Sequence, residues 1–186
     1  MEFEKLNSVE LGGAAVSKGS LQAEGADAHG FYTVECIGAD GKVKWSDQIK
    51  NLVTTVGKNF ALDTYLAGSA YTAAWYMGLI SLTSYGVGPA AADTMASHGG
   101  WAEDQTYSQA TRPAPAFSAA AAGSKATSSA VVFSINGTTT IKGCFLNTVS
   151  TKGGTTGTLY SAGLFTGGDK AVASGDTLNV TYTASL

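Results

Sequence analysis

The sequence has little charge and few basic residues. Charged residues make up 13% of its 186 residues, about half of the roughly 25% that is typical of soluble domains. The net charge is −3, so the chain lacks the basic surface with which proteins hold nucleic acid. Its densest basic stretch, Lys42 to Lys50, is interrupted by Asp47. We therefore predict no nucleic-acid partner.

Cysteine and long apolar runs are also scarce. Cys36 and Cys144 are the two cysteines, and each lies in an apolar stretch, where a free thiol behaves as a small buried hydrophobe; a disulfide between them is the alternative. The longest apolar stretch, around Ala73 to Leu82, is far shorter than the ~20 residues that span a bilayer. The N-terminus has no basic segment followed by an apolar one, as a signal peptide has. We predict a protein without membrane contact that stays in a reducing host cytoplasm until it assembles.

Glycine, threonine and serine replace the missing charge. Glycine accounts for 24 residues, nearly double the usual share of about 7%. A surface of hydroxyls and glycines forms many neutral contacts at low desolvation cost, which suits a protein that is packed against others. A low-charge β-sandwich of any other function would have the same composition.

Short apolar and alternating segments predict about eight strands. A segment over Ala110–Phe117 contains two prolines, which restrict it to an edge strand or an extended crossing. The predicted strands are Phe31–Ile37, a return strand over 43–49, Ala74–Leu82, an irregular Trp101–Tyr107, Ala130–Ile135, Thr139–Leu146, Leu159–Phe165 and Thr177–Leu186. The last alternates most cleanly, with Leu178, Val180, Tyr182, Ala184 and Leu186 on one face.

Turn and helix signals complete the predicted fold. Asp40-Gly41 and Asn136-Gly137 predict two hairpins. Apolar residues four apart predict a helix over Thr55–Leu66, with Thr55 as its N-cap and Gly68 as its stop. Residues 86–100 and 119–129 are predicted loops, the first with one helical turn over 92–97. The fold class is therefore mainly β: a jelly-roll-like β-sandwich of about eight strands over residues 30–186, with one short helix near 55–66.

Residues 1–29 differ from the rest because they show no sustained apolar periodicity. They are rich in Gly, Ala and Ser, and we predict an extended N-terminal arm that is held by something outside itself. Such an arm can add a strand to the sheet edge of a partner. Its apolar side chains are the predicted partner contacts: Phe3, Leu6, Val9 and Leu11. The alternative is a disordered tail.

The residues that suggest catalysis do not form a convincing motif. His98 lies near Ser97, Asp93 and Asp104 in sequence, but a hydrolytic triad needs groups that a fold orients, and no G-x-S-x-G elbow occurs. Adjacent Glu103 and Asp104 would point to opposite faces of a strand, unlike a glycosidase pair. We predict no catalytic residue, and a loop-capping hydrogen bond for His98.

Cofactor and metal sites are not predicted either. The run from Lys152 to Gly157 (KGGTTG) resembles a phosphate-binding loop, but in that motif the Lys follows the glycines and a helix comes next. A flexible turn is the better interpretation. His29 and His98 have no ligand-spaced partners, and isolated carboxylates such as Asp169 and Asp176 do not form a calcium loop. Trp45, Trp75 and Trp101 are predicted core anchors; the alternative is that one lies at a subunit contact.

A long set of short motifs runs through residues 30–186. They are Asn51-Leu52-Val53, Val56-Gly57, Leu62-Asp63, Tyr71-Thr72-Ala73-Ala74-Trp75-Tyr76, Gly78-Leu79, Ala92-Asp93-Thr94-Met95-Ala96-Ser97-His98, Trp101, Tyr107-Ser108, Ala110-Thr111-Arg112-Pro113, the run Ser150 to Tyr160 and the run Ser174 to Val180. In these motifs the sequence resembles a set of short virion proteins of tailed bacteriophages, and most resembles a capsid decoration (cement) protein of short-tailed phages. The resemblance fades in residues 1–29.

The resemblance implies a structural role. A cement protein binds the major capsid protein on the outer surface of the head, forms homo-oligomers and stabilises the shell against the pressure of packaged DNA. A tail or head–tail subunit (tube, adaptor or fibre anchor) is the alternative, with tail proteins as partners. A glycan-binding β-sandwich is a less favoured alternative, and an enzyme is not predicted.

Overall fold

A computed structural model describes residues 27–66 and 74–186, and over these residues the chain forms eleven strands and one helix. Seven strands have four or more residues, and each of them matches a predicted segment; the other four are short pairings of two or three residues. In chain order the elements are β1 (His29–Ile37), β2 (Val43–Lys50), β3 (Leu52–Val53), α1 (Thr55–Leu66), β4 (Tyr76–Ser81), β5 (Glu103–Asp104), β6 (Ser124–Ala126), β7 (Val131–Ser134), β8 (Thr139–Asn147), β9 (Leu159–Leu164), β10 (Lys170–Val172) and β11 (Thr177–Ser185).

The first sheet is built around the C-terminal strand β11. β1 runs antiparallel to β11 along the whole length of both strands. β2 pairs with the other edge of β1, as the Asp40-Gly41 turn predicts, while β6 and β7 share the second edge of β11. The alternation in β11 buries Leu178, Val180 and Tyr182 as predicted. Leu186 is 76% exposed, because β11 ends one residue before it.

The second sheet has the order β3-β9-β8-β4-β5, with β10 also paired to β8. β7 and β8 flank Asn136-Gly137, but β7 belongs to the first sheet and β8 to the second. The predicted hairpin at Asn136-Gly137 is therefore wrong. Neither residue has a positive φ, which the tight two-residue turn requires. The segment instead carries the chain from one sheet to the other, so that β7 and β8 face the same core from opposite sides.

The main core lies between the two sheets. The inward side chains of β1, β7 and β11 meet those of β4 and β8 there, and alternation along each strand supplies them. Both cysteines belong to this core, Cys36 from β1 and Cys144 from β8. The fully buried members include Tyr32, Val34, Cys36, Ile49, Met77, Leu79, Phe133, Ile141, Cys144, Leu178 and Val180.

A second, smaller core covers the outer face of the second sheet. Ile80 and Phe145 point outward from β4 and β8, and Met95 and Trp101 from the following loop pack over them. β4 is consequently buried on both faces, which is why its sequence is a nearly continuous apolar run rather than an alternating one. The predicted buried strand is confirmed.

Two local predictions are wrong, and a third is confirmed only in part. Residues 92–97 form no helical turn; Thr94 and Ser97 instead exchange backbone hydrogen bonds of 3.0 and 3.2 Å. The irregular strand predicted over Trp101–Tyr107 is confirmed in part, because only β5 and an isolated bridge from Tyr107 to Ile135 pair there. The predicted loop 119–129 contains β6, because the end of β11 offers it an unpaired edge. The fold class itself is confirmed: the described residues form a mainly β sandwich of two antiparallel sheets with one short helix.

Candidate binding groove

An apolar groove of about 740 Å³ opens at one end of the main core. One wall is the helix α1, and the others are the ends of β4, β8, β9 and β11 with the segment around β6. We call this site the groove. Its lining residues are Phe60, Ala61, Thr64, Trp75, Phe117, Lys125, Leu146, Tyr160, Tyr182 and Ala184.

Aromatic side chains form the floor and one wall of the groove. Trp75 contacts Phe60 and Tyr160 edge-on, at ring-centroid distances of 5.7 and 5.2 Å. Such T-shaped pairs are a favoured aromatic geometry. Trp75, Tyr160 and Phe117 are only partly buried, although they pack against the main core. The groove is thus an extension of the core that is left open to solvent.

The helix wall is held against β9 by two small residues. The Thr54 hydroxyl oxygen accepts the Gly57 N–H at 3.1 Å and the same hydroxyl donates to the carbonyl of Leu159. Thr54 is therefore the N-cap, and the prediction of Thr55 is wrong by one residue. A Cβ on Gly57 would lie 2.5 Å from the Tyr160 carbonyl oxygen. Glycine here lets the first turn of α1 rest directly on β9. The predicted stop, Gly68, lies outside the described residues.

The groove contains few polar groups and one charge. Tyr182 accepts a hydrogen bond of 2.9 Å from the Asn51 side-chain amide. Burial raises the pKa values of Tyr160 and Tyr182, so both phenols are neutral at physiological pH. Lys125 is the one charged side chain of the lining, and its ammonium group donates to the Ser118 carbonyl at 2.9 Å. This surface suits an apolar ligand that carries negative charge beside it.

A second site, the Arg112 cluster, lies on the outer face of the second sheet. Arg112 and Glu103 form a bidentate ion pair at 2.9 and 2.8 Å, and their side chains are 0% and 5% exposed. Arg112 also donates to the carbonyls of Val149 and Gly154, at 2.9 and 2.8 Å. Its guanidinium group lies 5.1 Å from the centre of the Phe145 ring. This geometry uses the planar fork that distinguishes Arg from Lys.

The Arg112 cluster holds the loop that resembles a phosphate-binding motif. Glu103 accepts the Gly153 N–H at 2.6 Å. The Lys152 ammonium group donates to the carbonyls of Tyr107 and Gln109 at 2.9 and 2.8 Å and lies over the Tyr107 ring. Lys152 is thus engaged with the chain itself, and the loop is anchored rather than a free turn. An adjacent cavity of about 170 Å³ is too small for a nucleotide.

The groups around His98 do not form a triad. A ring nitrogen of His98 lies 3.0 Å from the Trp101 carbonyl, and the imidazole stacks on the Trp101 ring. Asp93 accepts the Trp101 indole N–H at 2.9 Å. Asp104 accepts from the Thr139 hydroxyl at 2.7 Å. Each carboxylate therefore has its own structural partner, and the predicted loop-capping hydrogen bond of His98 is present.

The two cysteines are free thiols in the part of the chain that the structure describes. Burial, followed by the Asp176 charge, raises the pKa of Cys36 to about 11. Burial also raises the pKa of Cys144. Neither thiol is therefore present as the reactive thiolate at neutral pH.

The predicted partner contacts Phe3, Leu6, Val9 and Leu11 lie outside the described residues. Within residues 27–66 and 74–186, no cluster of three or more His, Cys, Asp or Glu side chains could hold a metal ion. No helix in the same ranges has the length and apolar character that crossing a membrane takes.

The tryptophans have three different environments. Trp101 is buried in the outer core as predicted, and Trp45 packs edge-on against Phe165 at 5.4 Å. Trp75 is the exception, because it lies in the groove. The alternative prediction that one of the three tryptophans lies at a subunit contact allows for Trp75, but no pattern in the sequence predicts the groove. No single segment encodes the groove, and its aromatic residues come from α1, from two strands and from the segments outside them.

The fold and the groove define the class of this protein as an antiparallel β-sandwich with an open apolar cleft. No protein-family model matches the sequence, and the comparison with curated proteins gives no significant match.

Proposed function

We propose that this chain is a non-enzymatic structural protein of a tailed-phage virion, which decorates and stabilises the capsid through multimeric protein–protein contacts. The observation that carries the proposal is the groove, since an open apolar cleft with aromatic walls is the kind of surface that binds protein segments. The phage virion is proposed as the location because the motifs in residues 30–186 resemble those of phage virion proteins.

The distribution of polar groups supports a structural role. The charged side chains of the Arg112 cluster form hydrogen bonds within the chain, as do Asp93, Asp104 and Lys152. Such groups stabilise the fold and are already engaged, which is unlike a catalytic site, where a nucleophile and a base face a substrate. On this proposal the partners are the major capsid protein and further copies of the chain, at the outer surface of the capsid after assembly in the host cytoplasm.

A glycan-binding role fits the groove less well. Trp75 and Tyr160 offer ring faces, but sugar hydroxyls also need several convergent hydrogen-bonding groups. The lining has four polar side chains, Thr64, Lys125, Tyr160 and Tyr182, and three of them already form a hydrogen bond within the chain. An apolar peptide segment matches the groove better.

The proposal is tested by counting copies of the protein in purified virions by quantitative mass spectrometry. A head decoration protein occurs on the order of hundreds of copies, whereas a ring at the tail contains about six or twelve. The first result supports the proposal and the second supports the tail alternative. Absence from virions overturns both.

A further inference from the structure

We infer that the groove binds the apolar N-terminal segment, Phe3–Leu11, of a second copy of this chain. The inference rests on the proposed function in one respect, namely that the protein acts as a multimer. It deepens that proposal by naming the contact through which one copy holds the next.

The described chain begins beside the groove. In the pairing of β1 with β11, Gly30 lies opposite Ala184, a lining residue of the groove. The Asp27 carboxylate lies 4.0 Å from the ammonium group of Lys58, one turn before Ala61 on the helix wall. Residues 1–26 are therefore attached beside the mouth of the groove, so that the same end of each copy carries both the arm and its proposed receptor.

The segment Phe3–Leu11 and the groove are chemically complementary. Phe3, Leu6, Val9 and Leu11 are the apolar anchors of a segment that also contains two Glu and one Lys. The groove offers an apolar, aromatic lining with Lys125 as its one charged residue. Apolar anchors with acidic neighbours match this surface in both hydrophobicity and sign of charge.

The residues between the segment and the described chain are numerous enough to carry the segment to a second copy. Residues 12–26 separate Leu11 from the start of the described chain. Fifteen residues span at most about 50 Å when fully extended. A span of this length allows the segment to enter the groove of an adjoining copy as well as the groove of its own chain. We assign the occupant to a second copy because the proposed function requires contacts between copies, and the doubly substituted chain described below decides between the two.

The test uses full-length protein and two introduced thiols. One preparation carries Phe3→Cys and a second carries Ala61→Cys, in the groove; the matched control carries Leu62→Cys, the next residue of α1, which is 56% exposed and does not line the groove. The native cysteines are buried. After mixing and mild oxidation, peptide mass mapping should show a disulfide between positions 3 and 61 several times more abundant than one between positions 3 and 62.

The same assay contains the outcomes that overturn the inference. Equal yields with Ala61→Cys and Leu62→Cys would show that the segment has no preference for the groove. A chain that carries both Phe3→Cys and Ala61→Cys tests the occupant: a link that forms only within one chain would assign the groove to its own arm.

A second measurement tests self-association without cysteine chemistry. Ala61→Glu places a carboxylate in the apolar groove, next to an incoming acidic segment. Sedimentation should show self-association weakened at least about tenfold by Ala61→Glu and unchanged by Leu62→Glu. Equal behaviour of the two variants would contradict the inference.

Failure of the inference is distinguishable from failure of the proposed function. Cross-linking with purified protein combined with absence from virions removes the phage role and keeps the contact between copies. High copy number in virions without the cross-link keeps the structural role and removes the arm from the groove.

Discussion

The Arg112 cluster and the groove differ in how completely their side chains are buried and paired. In the cluster, a charged side chain with 0% exposure has partners on Glu103, Val149 and Gly154, all within the chain. In the groove, large rings such as Trp75 and Tyr160 remain partly exposed, although they continue the core. The cluster is complete without a partner, whereas the groove leaves apolar surface that a partner can bury.

This difference predicts which substitutions affect stability and which affect binding. Removing one partner of a buried ion pair leaves an uncompensated buried charge, which lowers the free energy of unfolding. Truncating a half-exposed groove residue removes less buried area, so its main effect is expected on association. Substitutions in the two regions should therefore affect different measurements.

The largest expected effect follows from breaking the Arg112 cluster. Arg112→Met leaves the buried Glu103 carboxylate without its main partner and releases the carbonyls of Val149 and Gly154. We expect the free energy of unfolding to fall by roughly 3–5 kcal/mol, measured by denaturant unfolding. The control Lys58→Met removes an exposed pair at 4.0 Å and should change little. A loss no greater than that of the control would show that the cluster does not stabilise the fold.

The second effect concerns the helix wall of the groove. Gly57→Ala introduces a Cβ 2.5 Å from the Tyr160 carbonyl oxygen, so the first turn of α1 must move away from β9. We expect a loss of about 1–3 kcal/mol, with a change in tryptophan fluorescence because Trp75 lies on the same groove. Asn59→Ala, at an exposed position of the same helix, is the control. Equal melting temperatures for the two variants would show that the close approach of Gly57 to Tyr160 does not contribute to stability.

Local patterns in the sequence were sufficient for much of the fold. The strict alternation of β11 and the four-residue spacing in α1 depend on neighbouring residues alone, and both elements formed where predicted. The hairpin predicted at Asn136-Gly137 is wrong because the partner of β7 is β11, about 45 residues further along the chain. A turn signal describes the chain locally, but the sheet that a strand joins depends on which distant edge is available.

Local sequence patterns could not predict the Arg112 cluster, for the same reason. The partners of Arg112 lie 9, 37 and 42 residues away. One signal was present: Arg112 is the sole arginine in a chain with eleven basic residues, and arginine is the cation best suited to buried bidentate pairs. The groove offered no such signal, since its rings come from the helix, two strands and the segments between elements, which lie far apart in the sequence.

An alkaline titration sharpens the comparison between the two regions. Burial and the Glu103 charge raise the pKa of Tyr107 in the Arg112 cluster, and burial raises the pKa of Tyr160 in the groove. Above pH ~10 an unfolded tyrosine loses its proton while the folded one keeps it. The unfolded state then binds fewer protons, so the free energy of unfolding falls as the pH rises from about 10 towards the folded pKa values.

The sensitivity to alkali should be larger in the Arg112 cluster. Unfolding in guanidinium chloride is followed from neutral pH to pH ~11, the range over which free tyrosine titrates. Tyr107→Phe should flatten the alkaline decline more than Tyr160→Phe does, because the charge of Glu103 acts on Tyr107 in addition to burial. An equal effect of the two variants would indicate that the groove excludes water as completely as the cluster.

The smallest effect is expected at His98, beside the Arg112 cluster. The imidazole stacks on Trp101 at 4.1 Å, so His98→Ala should lower the free energy of unfolding by about 0.5–1.5 kcal/mol, and His98→Phe should restore part of this by keeping a stacked ring. Because Asp93 and Asp104 are bound elsewhere, neither variant removes a reacting group. Virion yield measured by plaque assay should stay within a few-fold of the wild type. A loss of several orders of magnitude from His98→Ala, with folding and incorporation intact, would instead identify a chemical role for this imidazole and contradict the assignment of the region to stability alone.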